Sequence, residues 1–189
     1  MKDLLLDIAQ CGKCCLCGEG KPVPGEGDPR AAIVFVGEAP GATEARTGRP
    51  FVGQAGKLLD ELLAAAGLDR GDVFITNIVK CRPPKNRNPK PEEIAVCAPY
   101  LDRQLESITP RIICCLGNFS TRYIMEKYGF ADRVEGVSRI HGRLFDTGSI
   151  LIMPLYHPAA AIYNRKLRPE LEQDFRRLGE MVKKRDWQA

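Results

Sequence analysis

The sequence predicts an α/β fold in which helices cover both faces of a parallel or mostly parallel sheet. Two observations support this prediction. Short apolar runs of strand length alternate along the chain with segments of helical periodicity, an alternation typical of parallel sheets. The chain has 189 residues, the size of one ordinary domain, and no repeat or long linker divides it. We therefore expect a single domain over residues 1–189.

The first half of the chain predicts two strands and two helices. Residues 31–36 form a continuous apolar run, partly β-branched, as in strands that are buried on both faces. Residues 56–66 place their leucines on one helical stripe, and residues 73–79 predict a second strand. The next helix is expected to begin with Pro91 in its first turn, where the missing amide proton has no helical partner to lose.

The second half predicts three more strands. They cover residues 111–116, 140–144 and 150–154, and a helix capped by Asn118 follows the first of them. A last amphipathic helix follows Pro169. In parallel sheets, ligands bind in the loops beyond the carboxyl ends of the strands, so functional residues are expected in those loops.

The composition indicates a globular protein without a membrane segment. Hydrophobic residues make up 44% of the chain and charged residues 28%, which excludes a disordered or membranous chain. The apolar run at the amino terminus is short and is broken by Asp3 and Asp7, so we expect a cytoplasmic protein. A net charge of +4 is compatible with a polyanionic partner and does not require one.

Eight cysteines are unusual in an intracellular chain, where four disulfides are not expected. Cys11-x-x-Cys14 lies in a polar loop, Cys81 follows the second predicted strand, and Cys97 lies on the next helix. Four thiolates bind zinc or an iron–sulfur cluster, and spacing alone leaves both open, although the wide second pair favours iron–sulfur. The pair Cys114-Cys115 lies inside an apolar strand and is expected to be a pair of buried thiols.

A sharp turn follows the first predicted strand. In Gly37-Glu38-Ala39-Pro40-Gly41, the glycines and the proline expose backbone N–H groups and hold a carboxylate over the sheet edge. Residues 47–53 place the ring of Phe51 near the same edge, and Glu44 lies between the two segments. Neither a G-x-G-x-x-G pattern nor a P-loop lysine is present, so a simple turn remains the alternative.

Five motifs together resemble the family-4, iron–sulfur uracil-DNA glycosylases. They occur in collinear order within residues 8–183, and several long motifs that agree are highly specific. The motifs are Val23-Pro24-Gly25-Glu26-Gly27, Gly37-Glu38-Ala39-Pro40-Gly41, Gly48-Arg49-Pro50-Phe51-Val52-Gly53, Thr76-Asn77-Ile78-Val79-Lys80-Cys81-Arg82-Pro83-Pro84 and His157-Pro158-Ala159.

The resemblance implies a three-layer α/β/α fold with a central, mostly parallel four-stranded sheet and a [4Fe-4S] cluster. The family pattern C-x-x-C-x-L matches residues 11–16, so the implied cluster ligands are Cys11, Cys14, Cys81 and Cys97. An alternative frame, Cys14-x-x-Cys17, lacks the leucine. The cluster is expected to be structural and to brace the DNA-facing loops.

The resemblance also implies a mechanism in which the target nucleotide leaves the duplex. Phe51 would stack on the flipped uracil, and the amide of Asn77 would recognise its edge. His157, with N–H groups of the 37–41 turn, would stabilise the departing uracil anion, and Glu38 would position or deprotonate water. The relatives carry an aspartate where this chain has Ala39, which leaves the role of Glu38 open. Further residues expected around the base are Gly37, Ala39, Glu44 (against the methyl group of thymine) and Asn86.

Two basic groups are expected to contact DNA phosphates. The first flanks the Asn77 motif, and the second follows the predicted helix at 118–127. Their members are Lys80, Arg82, Lys85 and Arg87 in the first group, and Arg139, His141 and Arg143 in the second.

Two other functions remain open at this point. One is a relative that captures uracil-DNA without turnover, which resembles this family but carries a glutamine in the first motif and a histidine in a basic loop. This chain has Ala39 in that motif and no histidine in residues 85–90. The other is an iron–sulfur electron carrier or redox sensor, which leaves the uracil-pocket residues without a role. We expect a monomer that binds uracil-containing DNA, and the sequence gives no indication of a sliding-clamp partner.

Overall fold

A six-stranded mixed sheet forms the centre of the computed structural model, which describes residues 1–187. The strand order is β1-β3-β2-β4-β6-β5. The strands are β1 (Glu26–Gly27), β2 (Ile33–Gly37), β3 (Val73–Asn77), β4 (Ile112–Leu116), β5 (Phe145–Asp146) and β6 (Leu151–Leu155). The expected domain range extends to residues 188 and 189, which lie outside the described residues.

Four of these strands are parallel and carry the fold. In β2, β3, β4 and β6 every residue is buried, because helices cover both faces. This explains why the strands appear in the sequence as continuous apolar runs. The prediction of a three-layer α/β/α fold is confirmed, and the sheet exceeds the expected four strands by two edge strands of two residues each, both antiparallel.

Eight α-helices connect and cover the strands in the described part of the chain. They are α1 (Lys2–Ala9), α2 (Ala42–Thr47), α3 (Gln54–Ala66), α4 (Pro91–Ile108), α5 (Asn118–Lys127), α6 (Val137–Ile140), α7 (Pro158–Tyr163) and α8 (Arg168–Lys184). Short 3₁₀ turns occupy Pro84–Asn86, Ala131–Arg133 and Arg165–Leu167. None of the helices within residues 1–187 combines the length and the apolar character needed to cross a bilayer.

Two apolar cores lie on opposite faces of the sheet. Leu59 of α3 and Phe175 of α8 belong to the first core, and Phe175 stacks on Phe35 of β2 at 5.6 Å. Leu101 of α4 and Ile124 of α5 belong to the second, which also contains residues of α1.

One predicted strand is wrong. Residues 140–144 were expected to be extended, whereas Ile140 ends helix α6 and a turn follows it. Gly142 adopts a left-handed φ of 68°, and the amide of His141 donates to the carbonyl oxygen of Val137. The strand begins at Phe145 and has only two residues, so the pairing partner of β6 is shorter than the apolar pattern indicated.

The order of the parallel strands fixes where a ligand binds. From β2 the chain moves to β3 on one side and then crosses to β4 on the other side of β2. Such a reversal opens a crevice at the carboxyl ends of the strands, where ligands of doubly wound sheets bind. The loop after β2 and the ends of β3 and β6 border this crevice.

Candidate active site

A cleft of about 590 Å³ lies at the carboxyl edge of the sheet. It is lined by the loop after β2, the end of β3, the 83–88 loop and the start of α7. The structure brings together most of the residues that the sequence predicted around the base: Glu38, Ala39, Glu44, Phe51, Asn77, Asn86 and His157.

Asn77 forms the floor of the cleft. It is the last residue of β3, is paired in register with Gly37 of β2, and is only 2% exposed. Its side-chain oxygen Oδ1 is buried and has no hydrogen-bond partner. A Cβ atom at Gly37 would collide with that oxygen and would lie 2.7 Å from the ring atom Cζ of Phe51. Gly37 therefore lets the amide and the ring meet over the end of the strand.

Phe51 forms a wall of the cleft beside Asn77. Its ring stacks on the imidazole of His157, with ring centres 5.5 Å apart and planes 29° apart. Its backbone has a φ of 50°, which is rare for a bulky residue. The ring is therefore held in place by a backbone conformation that phenylalanine does not favour on its own.

His157 follows β6 and caps the amino terminus of α7. Its Nδ1 accepts a hydrogen bond from the amide of Ala159 at 3.1 Å. Burial lowers the pKa of His157 to about 4, with the charge of Glu44 acting weakly in the other direction. The imidazole is therefore neutral near pH 7, and since Nδ1 is an acceptor, the single proton resides on Nε2.

Glu38 lies in the turn after β2, directly above the strand ends. Its backbone oxygen accepts from the amide of Val79, which fixes the turn to the segment after β3. Burial raises the pKa of the Glu38 carboxyl group above its usual value. A carboxylate with a raised pKa is a better proton acceptor than an exposed one.

Glu44 lines the cleft with a contact that the sequence did not indicate. Its Oε1 accepts from the amides of Val52 at 2.9 Å and Gly53 at 2.8 Å. The carboxylate therefore anchors the loop that carries Phe51. The expected contact with the methyl group of thymine stays a prediction.

The prediction that Lys80 grips phosphate is wrong. Its side chain is only 1% exposed, and the ammonium donates to Thr76 Oγ1, the carbonyl oxygen of Asn77 and Gln104 Oε1 at 2.6 to 2.8 Å. Burial lowers the pKa of Lys80 to about 7. Its place at the end of an apolar strand, before Cys81, was the signal that this lysine is enclosed.

The other basic residues of the 82–90 loop remain near the cleft. Arg82 donates from Nε to Asn86 Oδ1 at 2.8 Å, which ties the loop together, and Lys85 is exposed. Arg87 lines the cleft and forms two bonds with the buried carboxylate of Glu93, at 2.8 and 2.5 Å. Lys85 is thus more available than Arg87 for binding a phosphate.

The second basic group is divided. Arg139 and Arg143 are exposed, as a role in phosphate binding requires. His141 instead faces the protein, with Nδ1 2.7 Å from Asp174, Nε2 3.4 Å from Glu170, and its ring packed on Tyr156 at 4.6 Å. Its expected contact with DNA is therefore contradicted, because both ring nitrogens face carboxylates.

Five cysteines gather beside the second core. Cys81 and Cys97 are buried, and the other three pack against the same core: Cys11, Cys14 and Cys17. Burial raises the pKa of the Cys81 thiol, and neighbouring thiols, first among them Cys17, raise it further. The Sγ of Cys97 accepts from the amide of Lys80 at 3.1 Å. Cys17 therefore lies closer to the group than the sequence indicated, while Cys114 and Cys115 are buried in β4 as predicted.

The chain is similar to known proteins over most of its length. The sequence profile of the Uracil DNA glycosylase superfamily matches residues 24–178. The Type-4 uracil-DNA glycosylase of Saccharolobus solfataricus is 49% identical over an alignment of 187 positions, which covers 95% of this chain and 86% of the relative. The Type-4 uracil-DNA glycosylase of Archaeoglobus fulgidus is 45% identical over an alignment of 190 positions, which covers 98% of this chain and 94% of the relative. The chain belongs to the uracil-DNA glycosylase superfamily and to its type-4 family.

A Type-5 uracil-DNA glycosylase of Pyrobaculum aerophilum is more distant, at 35% identity over an alignment of 155 positions, which covers 74% of this chain and 66% of the relative. The family resemblance inferred from the motifs is thus confirmed.

Two residues at the mouth of the cleft were not indicated by the sequence motifs. Ile162 and Tyr163 end α7, line the cleft and are exposed, Tyr163 to 91%. An exposed aromatic ring beside a ligand cleft is a typical stacking surface for nucleic-acid bases. The available signal was their position, five and six residues after His157 and shortly after the His157-Pro158-Ala159 motif.

Proposed function

We propose that this protein is a uracil-DNA glycosylase that hydrolyses the N-glycosidic bond of deoxyuridine in DNA and so begins base excision repair. One observation carries the proposal: the buried Oδ1 of Asn77 has no partner within the protein and lies on the floor of a cleft walled by an aromatic ring. A buried acceptor without a partner costs about 1–3 kcal/mol, so a ligand that supplies the missing donor is favoured.

Uracil supplies the complementary group. Its N3–H donates to Asn77 Oδ1, and its O4 accepts from the Asn77 amide nitrogen. Cytosine offers an unprotonated N3 and an amino group at these two positions, so it faces two mismatched contacts. A site that pairs buried polar groups rejects such an analogue more strongly than an apolar slot does. The face of Phe51 stacks on the base and keeps it in the plane of the amide.

Cleavage of the bond between C1′ and N1 leaves positive charge on the sugar and negative charge on uracil. The neutral His157 donates a hydrogen bond from Nε2–H to the O2 of the departing anion, and its own charge does not change. A preorganised donor of this kind typically contributes ~3–4 kcal/mol to the transition state. Glu38 accepts a proton from the attacking water, whose oxygen then bonds to C1′.

We propose that the cysteines hold a [4Fe-4S] cluster through Cys11, Cys14, Cys81 and Cys97. The donor set fits the group, because two buried thiols and the thiols of the amino-terminal loop meet at one core, and an N–H group donates to Cys97 Sγ. No three Cys, His, Asp or Glu side chains within residues 1–187 converge to hold a single metal ion. A bound cluster would crosslink the amino-terminal loop, the segment after β3 that carries Cys81, and α4.

We propose that the enzyme acts as a monomer on DNA in the cytoplasm. Arg82 and Lys85 on one side of the cleft, with Arg139 and Arg143 of the second basic group, provide cations for the phosphates. Tyr163 at the cleft mouth is placed to contact bases.

The deciding experiment is turnover on an oligonucleotide that contains one uracil. We expect the purified protein to release free uracil and leave an abasic site over many cycles, with no release from the matched cytosine oligonucleotide. A stable protein–DNA adduct formed once per molecule would indicate the capturing relative instead. An iron–sulfur protein that leaves uracil in place would favour the electron carrier.

A further inference from the structure

We infer that Arg70 is a positioning residue for the reaction, because it locks the backbone that presents the ring of Phe51 to the base. The inference rests on the proposed function in one respect only, that the ring stacks on uracil. Arg70 lies in the loop between α3 and β3 and is not among the residues that line the cleft. It therefore acts through Phe51 and does not contact the substrate.

The backbone of Phe51 needs support from its surroundings. A φ of 50° places Phe51 in the left-handed region, which costs a bulky residue free energy and persists only where neighbours determine it. The ring is 6% exposed and packs on His157. A Cβ atom at Gly56 would collide with the Phe51 carbonyl oxygen, so the first turn of α3 packs closely against the backbone of this loop.

Two side chains hold the loop from opposite directions. Arg70 donates from Nη1 to the carbonyl oxygen of Phe51 at 3.2 Å and from Nη2 to that of Pro50. Glu44 accepts from the amides of Val52 and Gly53. The carbonyl oxygen of Phe51 and the amide of Val52 belong to one peptide group, and in a trans peptide these atoms point in opposite directions. Arg70 and Glu44 therefore hold that peptide from both sides.

Arg70 is itself fixed by two carboxylates. Its Nη1 lies 2.8 Å from Asp60 Oδ1, and its Nε lies 3.4 Å from Glu26 Oε1. The hydrogen bonds from Arg49 and the positive charge of Arg70 hold the pKa of Glu26 below its usual range, so this carboxylate stays ionised. A guanidinium group presents several N–H donors in a rigid plane, which lets Arg70 bind two carbonyls and two carboxylates together.

Lysine cannot reproduce this arrangement, and that difference provides the test. Arg70→Lys keeps the positive charge beside Glu26 and Asp60 but has no planar fork to bridge two carbonyls. The matched control is Arg49→Lys, because Arg49 pairs with the same Glu26, is exposed, and does not bond to the carbonyls of Pro50 or Phe51.

The experiment measures single-turnover uracil excision, inhibition by free uracil, binding to undamaged duplex and the melting temperature. Excision, inhibition and binding are measured well below the melting temperature. For Arg70→Lys we expect excision at least about tenfold slower than wild type, because a small misplacement in a pocket of this kind costs one to two orders of magnitude. Inhibition by free uracil should weaken in parallel, while binding to undamaged duplex stays unchanged. Arg49→Lys should match wild type in excision, inhibition, duplex binding and melting temperature.

A merely structural role predicts a different pattern: a lower melting temperature with wild-type excision and wild-type inhibition by uracil. That result for Arg70→Lys would overturn the inference. If Arg70→Lys does not fold, Asp60→Ala provides a second variant, because it removes one exposed carboxylate that orients Arg70. We expect slower excision and weaker inhibition by free uracil, both to a smaller extent than in Arg70→Lys. Unchanged excision and inhibition in Asp60→Ala would also overturn the inference. Absence of uracil release by the wild-type protein would instead contradict the proposed function.

Discussion

Arg87 lies at the cleft with its terminal nitrogens bonded to both carboxylate oxygens of Glu93, at 2.8 and 2.5 Å. Glu93 is only 2% exposed and also accepts from the amide of Lys90. The hydrogen bond from Arg87 lowers the pKa of Glu93 to about 2, so the pair remains charged across the working pH range. The cation at the cleft is thus already compensated by a buried anion.

This pairing predicts which residues set the salt dependence of DNA binding. Each phosphate that a cation neutralises adds about 0.9 to the slope of log affinity against log salt. Lys85→Ala should reduce that slope by about one. Lys85 is exposed and forms no ion pair with a carboxylate of the described residues, whereas Arg87 is paired with Glu93. The measurement is affinity for uracil-free duplex over a range of salt concentrations.

Arg103→Ala is the control for this measurement. Arg103 lies far along α4 from the cleft and pairs with Asp7 at the surface. We expect it to leave the slope unchanged. Equal slopes for wild type and Lys85→Ala would place the DNA elsewhere on the protein.

The pH dependence of excision should report on Glu38. Burial raises the pKa of Glu38 above its usual value, and the proposed reaction uses the carboxylate, so the rate should fall as the pH drops through this raised pKa. His157 has a pKa of about 4 and stays neutral over the same range. Of these two groups, Glu38 is therefore the one expected to set the acid limb of the profile.

Glu38→Gln tests that assignment. The variant keeps the size and polarity of the side chain but cannot accept a proton, so we expect a rate at least about 100-fold lower and without the acid limb. Single-turnover rates between pH 5 and 9 provide the comparison. An acid limb that persists in Glu38→Gln would assign the titration to another group.

Replacement of single cysteines should decide the ligand frame. If Cys11 and Cys14 bind the cluster, Cys11→Ala should lose the visible absorbance of iron–sulfur ligation and the bound iron, whereas Cys17→Ala should retain both. Cys17 packs against the core that contains Cys81 and raises the pKa of the Cys81 thiol, which gives the alternative frame physical support. The reverse outcome would therefore assign Cys14 and Cys17. Zinc without iron or sulfide, in protein purified without oxygen, would contradict the cluster.

The parallel strands and the cleft motifs could be predicted from the sequence because each has a local signal. Residues 31–36 and 112–116 are continuous apolar runs, and a strand covered on both faces requires such runs. The loop after β2 and His157 follow such strands directly, so their place at the carboxyl edge follows from topology. These residues meet in the cleft as expected.

The residues that the sequence placed wrongly or did not indicate depend on contacts between segments distant in sequence. Lys80 was counted with the neighbouring exposed cations, but its ammonium is enclosed by Gln104 from α4. Arg70 has no motif around it, and its role depends on carbonyl groups 19 and 20 residues earlier. No pattern in the sequence indicates which side chain reaches a backbone group across the fold, so such residues are found only in the structure.

Substrate choice should depend on Asn77. Asn77→Asp replaces the amide nitrogen, the proposed donor to O4 of uracil, with an oxygen that repels it. Loss of one such pairing in a desolvated pocket costs about 1–3 kcal/mol, so uracil excision should fall by about an order of magnitude or more. The new acceptor suits the amino group of cytosine, and weak cytosine excision should appear, limited because cytosine is the poorer leaving group.

Asn118→Asp provides a matched control for the added charge. Asn118 begins α5 at the same edge of the sheet, and its Oδ1 accepts from the amide of Val137 at 2.8 Å, a bond that aspartate retains. We expect this variant to excise uracil at the wild-type rate. Both variants should keep the visible absorbance of the cluster, because neither residue is a proposed ligand.

The measurement is single-turnover excision on paired uracil and cytosine oligonucleotides, with the visible spectrum recorded on the same sample. A loss confined to Asn77→Asp, with the cluster intact, would locate base recognition at the unpartnered Oδ1 and its amide. Equal losses in both variants would indicate a general effect of charge on the DNA-facing edge. Wild-type uracil excision by a folded Asn77→Asp protein would exclude Asn77 as the residue that recognises the base, because a carboxylate cannot donate the hydrogen bond that O4 requires.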